Sequence, residues 1–334
     1  TPGLGAWLVM GDEAFGTSPA PRAVLEAEPT MEALRQAYAG APDTWPAPTL
    51  RTGAVFTEFS PLPDPVTPPD NPFEGKKAGL GRRLFDDPRL SVSGQIACAS
   101  CHSSELGFAD GIRTSFGHDR QRGRRNSPSV AMAAWMPVLF WDGRATTLEE
   151  QSLHPLIDPL EMAGTLEQVE KAVASDPTYK DAFVAAFGDE VVTIDRIAKA
   201  LATFQRSLQP GLGRWRRFIN GDRRAFNDQQ LRGLHLFRTK AACASCHSGP
   251  VFSDGRFHNI GLTFYGRQNE DLGRYHITGQ AADVGTFRTP GLLAVSRTGP
   301  WMHNGLFPNL KGIVRFYNAG GANPRPLPGT ENDP

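Results

Sequence analysis

The sequence has few cysteines and no excess of either charge. Its 334 residues include 4 cysteines, and 35 Lys and Arg residues balance 35 Asp and Glu residues. A nucleic-acid binder needs an excess of basic residues for its phosphate contacts, so a formal net charge of +0 argues against a nucleic-acid partner. The sequence also lacks any run of about eighteen apolar residues, the length that a membrane-spanning helix requires.

All four cysteines lie in a five-residue stretch that occurs twice. The two copies are Cys98-Ala99-Ser100-Cys101-His102 and Cys243-Ala244-Ser245-Cys246-His247. Each reads C-x-x-C-H, the attachment motif of a c-type haem, in which the thiols bond the vinyl groups and the histidine binds the iron. A thioredoxin-like pair needs no histidine, and a zinc site needs two more soft ligands nearby. The sequence therefore predicts two covalently bound haem c groups and no disulfide.

The haem motifs also predict where the protein works. Bacteria attach haem c outside the cytoplasm, so we expect a periplasmic protein whose precursor carried a secretion signal. The opening stretch from Leu4 to Met10 is apolar but short and lacks a basic flank, so it is not a complete signal peptide.

Helical patterns alternate with long loops, since Pro (28) and Gly (35) are abundant. Apolar spacing and capping residues predict helices over 30–38, from 74 to Asp87, over 166–187 with a break at Asp176-Pro177, over 193–208, 228–237 and 310–317. Residues 250–300 alternate weakly and predict loops with a short hairpin or two. The proline-rich stretch before residue 75 predicts an extended linker that wraps the surface.

These patterns predict a mainly α fold. We expect two cytochrome c-like haem domains with short β hairpins and long loops, preceded by an extended N-terminal segment. The predicted boundaries are 1–75 for the N-terminal extension, 76–208 for the first haem domain and 209–334 for the second.

Several further motifs surround the haem motifs in a fixed order. They are Leu84-Phe-Asp-Asp-Pro-Arg-Leu-Ser91, Ala109-Asp-Gly111, Arg125-Asn-Ser-Pro128, Phe140-Trp-Asp-Gly-Arg-Ala145, Leu148-Glu-Glu-Gln151, Pro159-Leu-Glu-Met162, Phe287-Arg-Thr-Pro290 and Trp301-Met-His-Asn-Gly305. In these motifs the chain resembles the bacterial di-haem cytochrome c peroxidases and their relative MauG, the methylamine-utilisation protein. The resemblance runs from about residue 76 to the end.

The resemblance implies a peroxidatic first haem. Glu161 matches the acid/base that moves a proton between the two oxygens of hydrogen peroxide, and Gln151 and Pro155 match residues that line the same pocket. Trp141 matches the tryptophan that relays electrons between the haems. Without the resemblance, Glu161 is interpreted as a surface carboxylate at a helix start, and Trp141 is also compatible with a core aromatic.

The resemblance also implies iron ligands beyond His102 and His247. His118 matches a distal ligand that closes the resting first haem in many peroxidases, whereas MauG keeps this haem open. Tyr317 stands where peroxidases place a methionine ligand of the second haem, and MauG likewise has tyrosine. Met302 is the alternative ligand.

Asn126 matches the side-chain ligand of a calcium ion, which backbone carbonyls near Arg288 and Pro290 would complete. Oxygen-only ligation fits calcium, although a loop asparagine also satisfies backbone groups. Two further features have more than one interpretation. For His303 the alternatives are a contact with a haem propionate and a structural role. For the basic run the alternatives are a solvated loop, a docking patch and a partner of a propionate; its members are Arg120, Arg122, Arg124 and Arg125.

The leading hypothesis is a peroxidase that reduces hydrogen peroxide to water with electrons from a small cytochrome c or cupredoxin. The alternative is a MauG-like enzyme that oxidises tryptophans of a partner protein. Tyr317 favours the alternative, whereas His118 disfavours it, and Ala241 replaces the surface tryptophan that MauG carries there. A plain di-haem electron carrier leaves Glu161 and Gln151 without a purpose. A homodimer is a candidate assembly.

Overall fold

The structure, a computed structural model, describes residues 29–210 and 213–322. The described residues form short α-helices: α1 (Met31–Ala37), α2 (Gly75–Phe85), α3 (Cys98–Cys101), α4 (Leu148–Ile157), α5 (Leu166–Ala174), α6 (Lys180–Phe187), α7 (Ile194–Ser207), α8 (Arg214–Ile219), α9 (Asp228–Arg238), α10 (Tyr275–Thr278) and α11 (Leu310–Asn318). Within these ranges, no helix has the length and apolar character needed to cross a membrane.

Helices α2 and α7 cross at the centre of the first hydrophobic core. The hydroxyl group of Thr193 accepts a hydrogen bond from the Arg196 amide and caps α7, as its sequence predicts. Gly81 allows the two helices to meet closely, because a Cβ atom there would lie 1.9 Å from the Ala200 carbonyl oxygen. The core also contains residues of α4, α5 and α6, so it supports the helix that carries Gln151 and Pro155.

A second core joins the N-terminal segment to α8 and α9. Tyr38, Trp45 and Phe59 pack in this core with Phe218 and Leu234. Residues 31–59 pack onto α8 and α9 as part of this core, whereas the sequence predicted that the stretch after the first helix would be a surface linker.

The ion pair between the fully buried Arg238 of α9 and Glu58 fastens the N-terminal segment to this core. The Thr49 amide donates a hydrogen bond of 2.9 Å to the Arg238 carbonyl oxygen. A partnered buried arginine of this kind makes the removal of Glu58 costly, because the remaining charge would be left in the core.

The β structure of the described residues is small. Strands β1 (Phe257–His258) and β2 (Phe287–Arg288) pair antiparallel, with Phe257 opposite Arg288. Residues 259–286 separate the strands, so this pair is not the expected short hairpin but a pairing between segments distant in the sequence. The mainly α fold class is confirmed. The strand pair holds the Phe287-Arg-Thr-Pro290 stretch against the Trp141 backbone, where the Arg288 amide donates a hydrogen bond of 2.8 Å to the Trp141 carbonyl oxygen.

Candidate haem-binding and active site

The two haem-motif histidines have the same hydrogen-bond arrangement. His102 Nδ1 lies 3.1 Å from the Phe108 carbonyl oxygen, and His247 Nδ1 lies 2.9 Å from that of Phe252. Burial lowers the pKa of both imidazoles, so both are neutral at neutral pH. A neutral imidazole that donates from Nδ1 leaves Nε2 as an available metal ligand.

One cavity of about 1800 Å³ connects the two motifs. Almost all the predicted site residues line it: Cys98, Cys101, His102, Asn126, Trp141, Gln151, Pro155, Glu161, Cys243, Cys246, His247, Met302 and Tyr317. The structure therefore brings together residues that are far apart in the sequence. Of the predicted residues, His118 is absent from the described wall of this cavity.

The residues present fit two haem c groups. Each motif supplies two free thiols and an imidazole, the groups that a covalently attached haem requires. The apolar face of α11, formed by Leu310, Ile313, Val314 and Tyr317, also lines the cavity. Val314 is 69% exposed there, as expected of a helix face that packs on a large apolar group.

Helix α4 and the loop after it build the acid/base side of the cavity. Thr147 caps α4, and Gln151 and Pro155, four residues apart, lie on the same helix face. The loop turns on Asp158, whose carbonyl oxygen accepts hydrogen bonds from the Glu161 amide at 3.0 Å and the Ala163 amide at 2.9 Å. This turn places Glu161 over the same space as Gln151 and Pro155.

The carboxyl group of Glu161 has the properties of a proton carrier. Burial, with a contribution from Asp158, raises the pKa of Glu161 to about 7, and Arg144 acts in the opposite direction. Burial also raises the pKa of the Cys98 and Cys101 thiols, and the charge of Glu161 adds to this rise, which places the carboxyl group near the first haem motif. A carboxyl group with a pKa near neutrality can both accept and donate a proton.

An ion-pair network that the sequence does not predict links residues 125–144 to Asp271. Arg125 pairs with Asp142 at 2.5 Å and with Asp271 at 2.6 Å, and Asp142 also pairs with Arg144 at 3.0 Å. The Phe140-Trp-Asp-Gly-Arg motif contains Asp142 and Arg144, so this part carried a local signal. Asp271 stands in a loop without a motif, and only the fold brings it to Arg125.

Trp141 is buried in the wall between the motifs. Its indole Nε1 donates to the Asn126 carbonyl oxygen at 2.9 Å, and its ring centroid lies 6.3 Å from that of His303. His303 stacks on Phe287 at 3.5 Å, and burial lowers the pKa of His303 to about 4. A neutral, stacked His303 therefore packs beside the indole and also lines the cavity.

Asn126 contributes both backbone and side chain to this region. Its amide nitrogen Nδ2 donates to the carbonyl oxygens of Ile112 at 3.0 Å and Arg113 at 3.3 Å. The donors are thus committed to the protein, and Oδ1 is the side-chain atom left to bind a cation. In the loop that contains Arg288 and Pro290, the Thr289 carbonyl oxygen already accepts a hydrogen bond of 2.7 Å from Ser253 Oγ.

The loop of His118 packs against the Glu161 segment. The His118 amide donates to the Glu161 carbonyl oxygen at 2.8 Å, and a Cβ atom on Gly117 would lie 1.9 Å from the Leu160 carbonyl oxygen. His118 Nε2 lies 3.4 Å from the Asp119 carboxylate, while Nδ1 is buried and has no hydrogen-bond partner among the described residues. Asp119 and Arg120 both have left-handed backbone angles, φ 51° and 56°.

Tyr317 and Met302 both lie on the cavity wall. Burial raises the pKa of Tyr317 to about 12, and the Cys246 and Cys243 thiols add to this rise. The phenol group is therefore close to the second haem motif. Met302 belongs to a loop and has a left-handed φ of 71°.

One group of potential metal ligands lies beside the second motif in the described residues. Cys246, Asp254 and His258 have ligand atoms within 4.8 Å of one another. Cys246 becomes a thioether when haem c is attached, so it is no longer a thiolate ligand. What remains is the ion pair of His258 with Asp254 at 2.8 Å, which raises the pKa of His258 to about 9.

Both the sequence and the structure of the chain are similar to those of di-haem peroxidases and MauG proteins. Residues 75–224 match the family model described as di-haem cytochrome c peroxidase. The cytochrome c551 peroxidase of Nitrosomonas europaea is 38% identical over 262 residues, which cover 77% of this chain and 78% of that protein. The MauG protein of Methylophilus methylotrophus is also 38% identical over 262 residues, which cover 77% of each chain.

Two solved structures share the fold. A MauG-like protein associated with microbial copper homeostasis superposes with a TM-score of 0.74 and 32% identity, over 80% of this chain and 83% of that chain. The diheme peroxidase BthA from Burkholderia thailandensis gives a TM-score of 0.67 and 26% identity, over 81% and 79%. With its paired haem motifs on one cavity and these relatives, the chain belongs to the di-haem cytochrome c peroxidase family of oxidoreductases.

Proposed function

We propose that the protein reduces hydrogen peroxide to water at the first haem motif, with electrons that arrive through the second. The observation that supports this best is the half-buried carboxyl group of Glu161, which shares a cavity wall with Gln151, Pro155 and His102. An electron carrier has no use for a proton carrier with a pKa of about 7 at this place.

Haem c, when bound to His102, supplies an iron that binds peroxide and exchanges electrons. The chain supplies the proton movement. The ionised Glu161 accepts the proton from one peroxide oxygen and returns it to the other, which then leaves as water. Gln151 and Pro155 shape the space around the carboxyl group, and Arg144 sets how readily it ionises.

Trp141 is the residue we propose as the electron relay between the two motifs. It is buried, lines the shared cavity and is fixed by its hydrogen bond to Asn126. A fixed aromatic ring between two redox centres shortens the gap that an electron has to cross. Trp141→Phe should slow electron transfer between the haems while peroxide binding is retained, as stopped-flow spectra of each haem would report.

The direct test of the proposed function is Glu161→Gln. This change keeps the shape of the side chain and removes its acid/base function, so peroxide turnover should fall about a hundredfold or more. Glu167→Gln, an exposed carboxylate on α5, is the matched control and should keep full turnover. Unchanged turnover in Glu161→Gln, with both haems in place, would show that another group moves the proton.

A second candidate function is MauG-like oxidation of tryptophans in a partner protein. Tyr317 supports it, because the phenol group lies near the second motif and a phenolate stabilises higher oxidation states of iron. Ala241 disfavours it, because MauG has a surface tryptophan at this position, six residues before the histidine of the second haem motif.

We also propose that the protein is periplasmic and that its electron donor is a small cytochrome c or cupredoxin.

We further propose that a calcium ion binds at Asn126. Oxygen ligands from Asn126 and from backbone carbonyls near Arg288 and Pro290 suit calcium. Elemental analysis of purified protein should find one calcium per chain, and Asn126→Ala should lose it. Calcium retained in that variant would place the ion elsewhere.

A further inference from the structure

A basic face lies on the surface of the second core, on α8 and the turn that follows it. Residues 213–224 contain five arginines and one aspartate in a chain of zero net charge. We define the basic face by its four exposed members: Arg214, Arg216, Arg217 and Arg224. Arg217 pairs with Asp222 at 2.8 Å in an exposed ion pair, and this one aspartate leaves most of the positive charge of the face uncompensated.

In the run from Arg120 to Arg125, two arginines bind other residues of the protein. Arg125 is bound by Asp142 and Asp271, and Arg122 stacks at 4.1 Å on Phe116 and donates to the Thr114 carbonyl oxygen. These two arginines therefore have contacts within the protein, and one of the contacts reaches Asp271, while Arg120 and Arg124 are exposed. The basic face on α8 instead presents its guanidinium groups to solvent, where they can attract an acidic surface.

An aromatic contact leads from the basic face to the iron ligand of the second haem. Trp215 lies between Arg214 and Arg216 and is half-buried, and its ring centroid is 4.7 Å from that of Phe252. The carbonyl oxygen of Phe252 is the hydrogen-bond acceptor of His247 Nδ1, at 2.9 Å. One side chain and one hydrogen bond thus connect a surface tryptophan to His247.

We propose that the basic face is the docking surface for an electron-donor protein with an acidic face, and that Trp215 conducts the electron from it towards His247. This inference rests on the proposed function, because it locates where the donor of that reaction binds. One electron leaves the metal centre of the donor and reduces the iron bound by His247. Trp215 is the medium for this transfer and undergoes no net oxidation or reduction.

Binding of the haem-loaded protein to two probes, an acidic cytochrome c and a basic cytochrome c, tests the docking surface by calorimetry. At low ionic strength the acidic probe should bind more tightly, and Arg214→Glu/Arg216→Glu should weaken its binding about tenfold or more. High salt should remove the difference, because exposed charges are screened. The control Lys171→Glu, an exposed charge reversal on α5, should bind as the unaltered protein does.

Equal affinity of the double variant, or preference for the basic probe, would overturn the docking surface. Turnover of peroxide with hydroquinone, a neutral small donor, separates this failure from that of the proposed function. If the unaltered protein does not turn over hydroquinone, the peroxidase assignment fails, while the binding data still decide where the acidic protein docks.

The route through Trp215 is tested in the complex with the acidic probe, without peroxide. Reduction of the second haem by the bound probe should be several-fold slower in Trp215→Phe, with unchanged affinity. Trp45→Phe is the matched control, because Trp45 packs in the same core but has no ring contact with Phe252 among the described residues. Equal rates in the two variants would overturn this route.

Discussion

Two charged neighbours act on Glu161 after burial has raised its pKa. Asp158 raises the pKa further and Arg144 lowers it, and the outcome is a carboxyl group that titrates near pH 7. Arg144 is itself held by Asp142, which also binds Arg125. The proton affinity of Glu161 therefore depends on an ion-pair network that extends to the second half of the chain.

This pKa fixes the direction of the pH dependence. Glu161 must be ionised to accept a proton, and it is ionised above pH 7 and protonated below it. The value of kcat/KM for peroxide should therefore fall as the pH drops through about 7, by about tenfold per pH unit at lower pH. Arg144→Gln removes a positive neighbour and should move this transition to higher pH. A profile of kcat/KM that is flat between about pH 5 and 8 would exclude Glu161 as the titrating base.

Tyr317 decides between the two candidate functions at the second haem. If its phenolate binds the iron, the near-infrared band of a methionine-bound haem is absent and the midpoint potential is low. Tyr317→Met should raise the potential and create that band. Magnetic circular dichroism of the oxidised protein is the measurement. A methionine band that persists in Tyr317→Phe and disappears in Met302→Ala would assign the ligand to Met302.

At the scale of elements, the His118 loop has the features of a segment with two positions. Its consecutive left-handed residues, Asp119 and Arg120, carry strain of about 1 kcal/mol or more each. His118 Nδ1 is buried without a partner in the described part of the chain, which is also unfavourable. A loop with these costs can exchange them for a new contact, such as an imidazole on the first haem.

We expect His118 to close the first haem in the fully oxidised protein and to leave it when the second haem is reduced. The resting first haem should then be low-spin and slow with peroxide, and His118→Ala should make it high-spin and reactive at once. Gln121→Ala, an exposed side chain in the same loop, should keep the low-spin spectrum. Electron paramagnetic resonance of the resting protein checks this, and a high-spin, reactive unaltered protein would remove the gate.

Helix α4 shows what sequence patterns miss at this scale. Pro155 inside the helix conceals its pattern, because proline normally ends a helix and its missing N–H leaves the Gln151 carbonyl without its usual partner. Tertiary contacts compensate: Glu149 of α4 pairs with Arg206 of α7 at 2.6 Å and accepts from Asn71 at 2.6 Å. Helices with clear caps and spacing, such as α7 and α9, were predicted from the sequence to within a residue or two.

At the scale of the whole molecule, local motifs predicted the cofactor chemistry and distant contacts supplied the rest. Cys98, His102, Cys243 and His247 follow from five-residue patterns, and the structure adds their common cavity. The Arg125–Asp271 pair and the packing of the N-terminal segment on α9 depend on residues far apart in the chain. Because a single sequence carries no direct signal for such pairs, only the fold reveals them.

We propose that the two haem-bearing motifs and Glu161 together reduce peroxide with electrons from outside the protein. Limiting hydrogen peroxide added to an excess of reduced donor cytochrome c, with a catalytic amount of the haem-loaded protein, tests it directly. Donor oxidation followed by absorbance should reach two donor molecules per peroxide, and Glu161→Gln should reach the same end point far more slowly. If a chain that carries both haems oxidises the donor no faster than the mixture without protein, it is not a peroxidase of this donor.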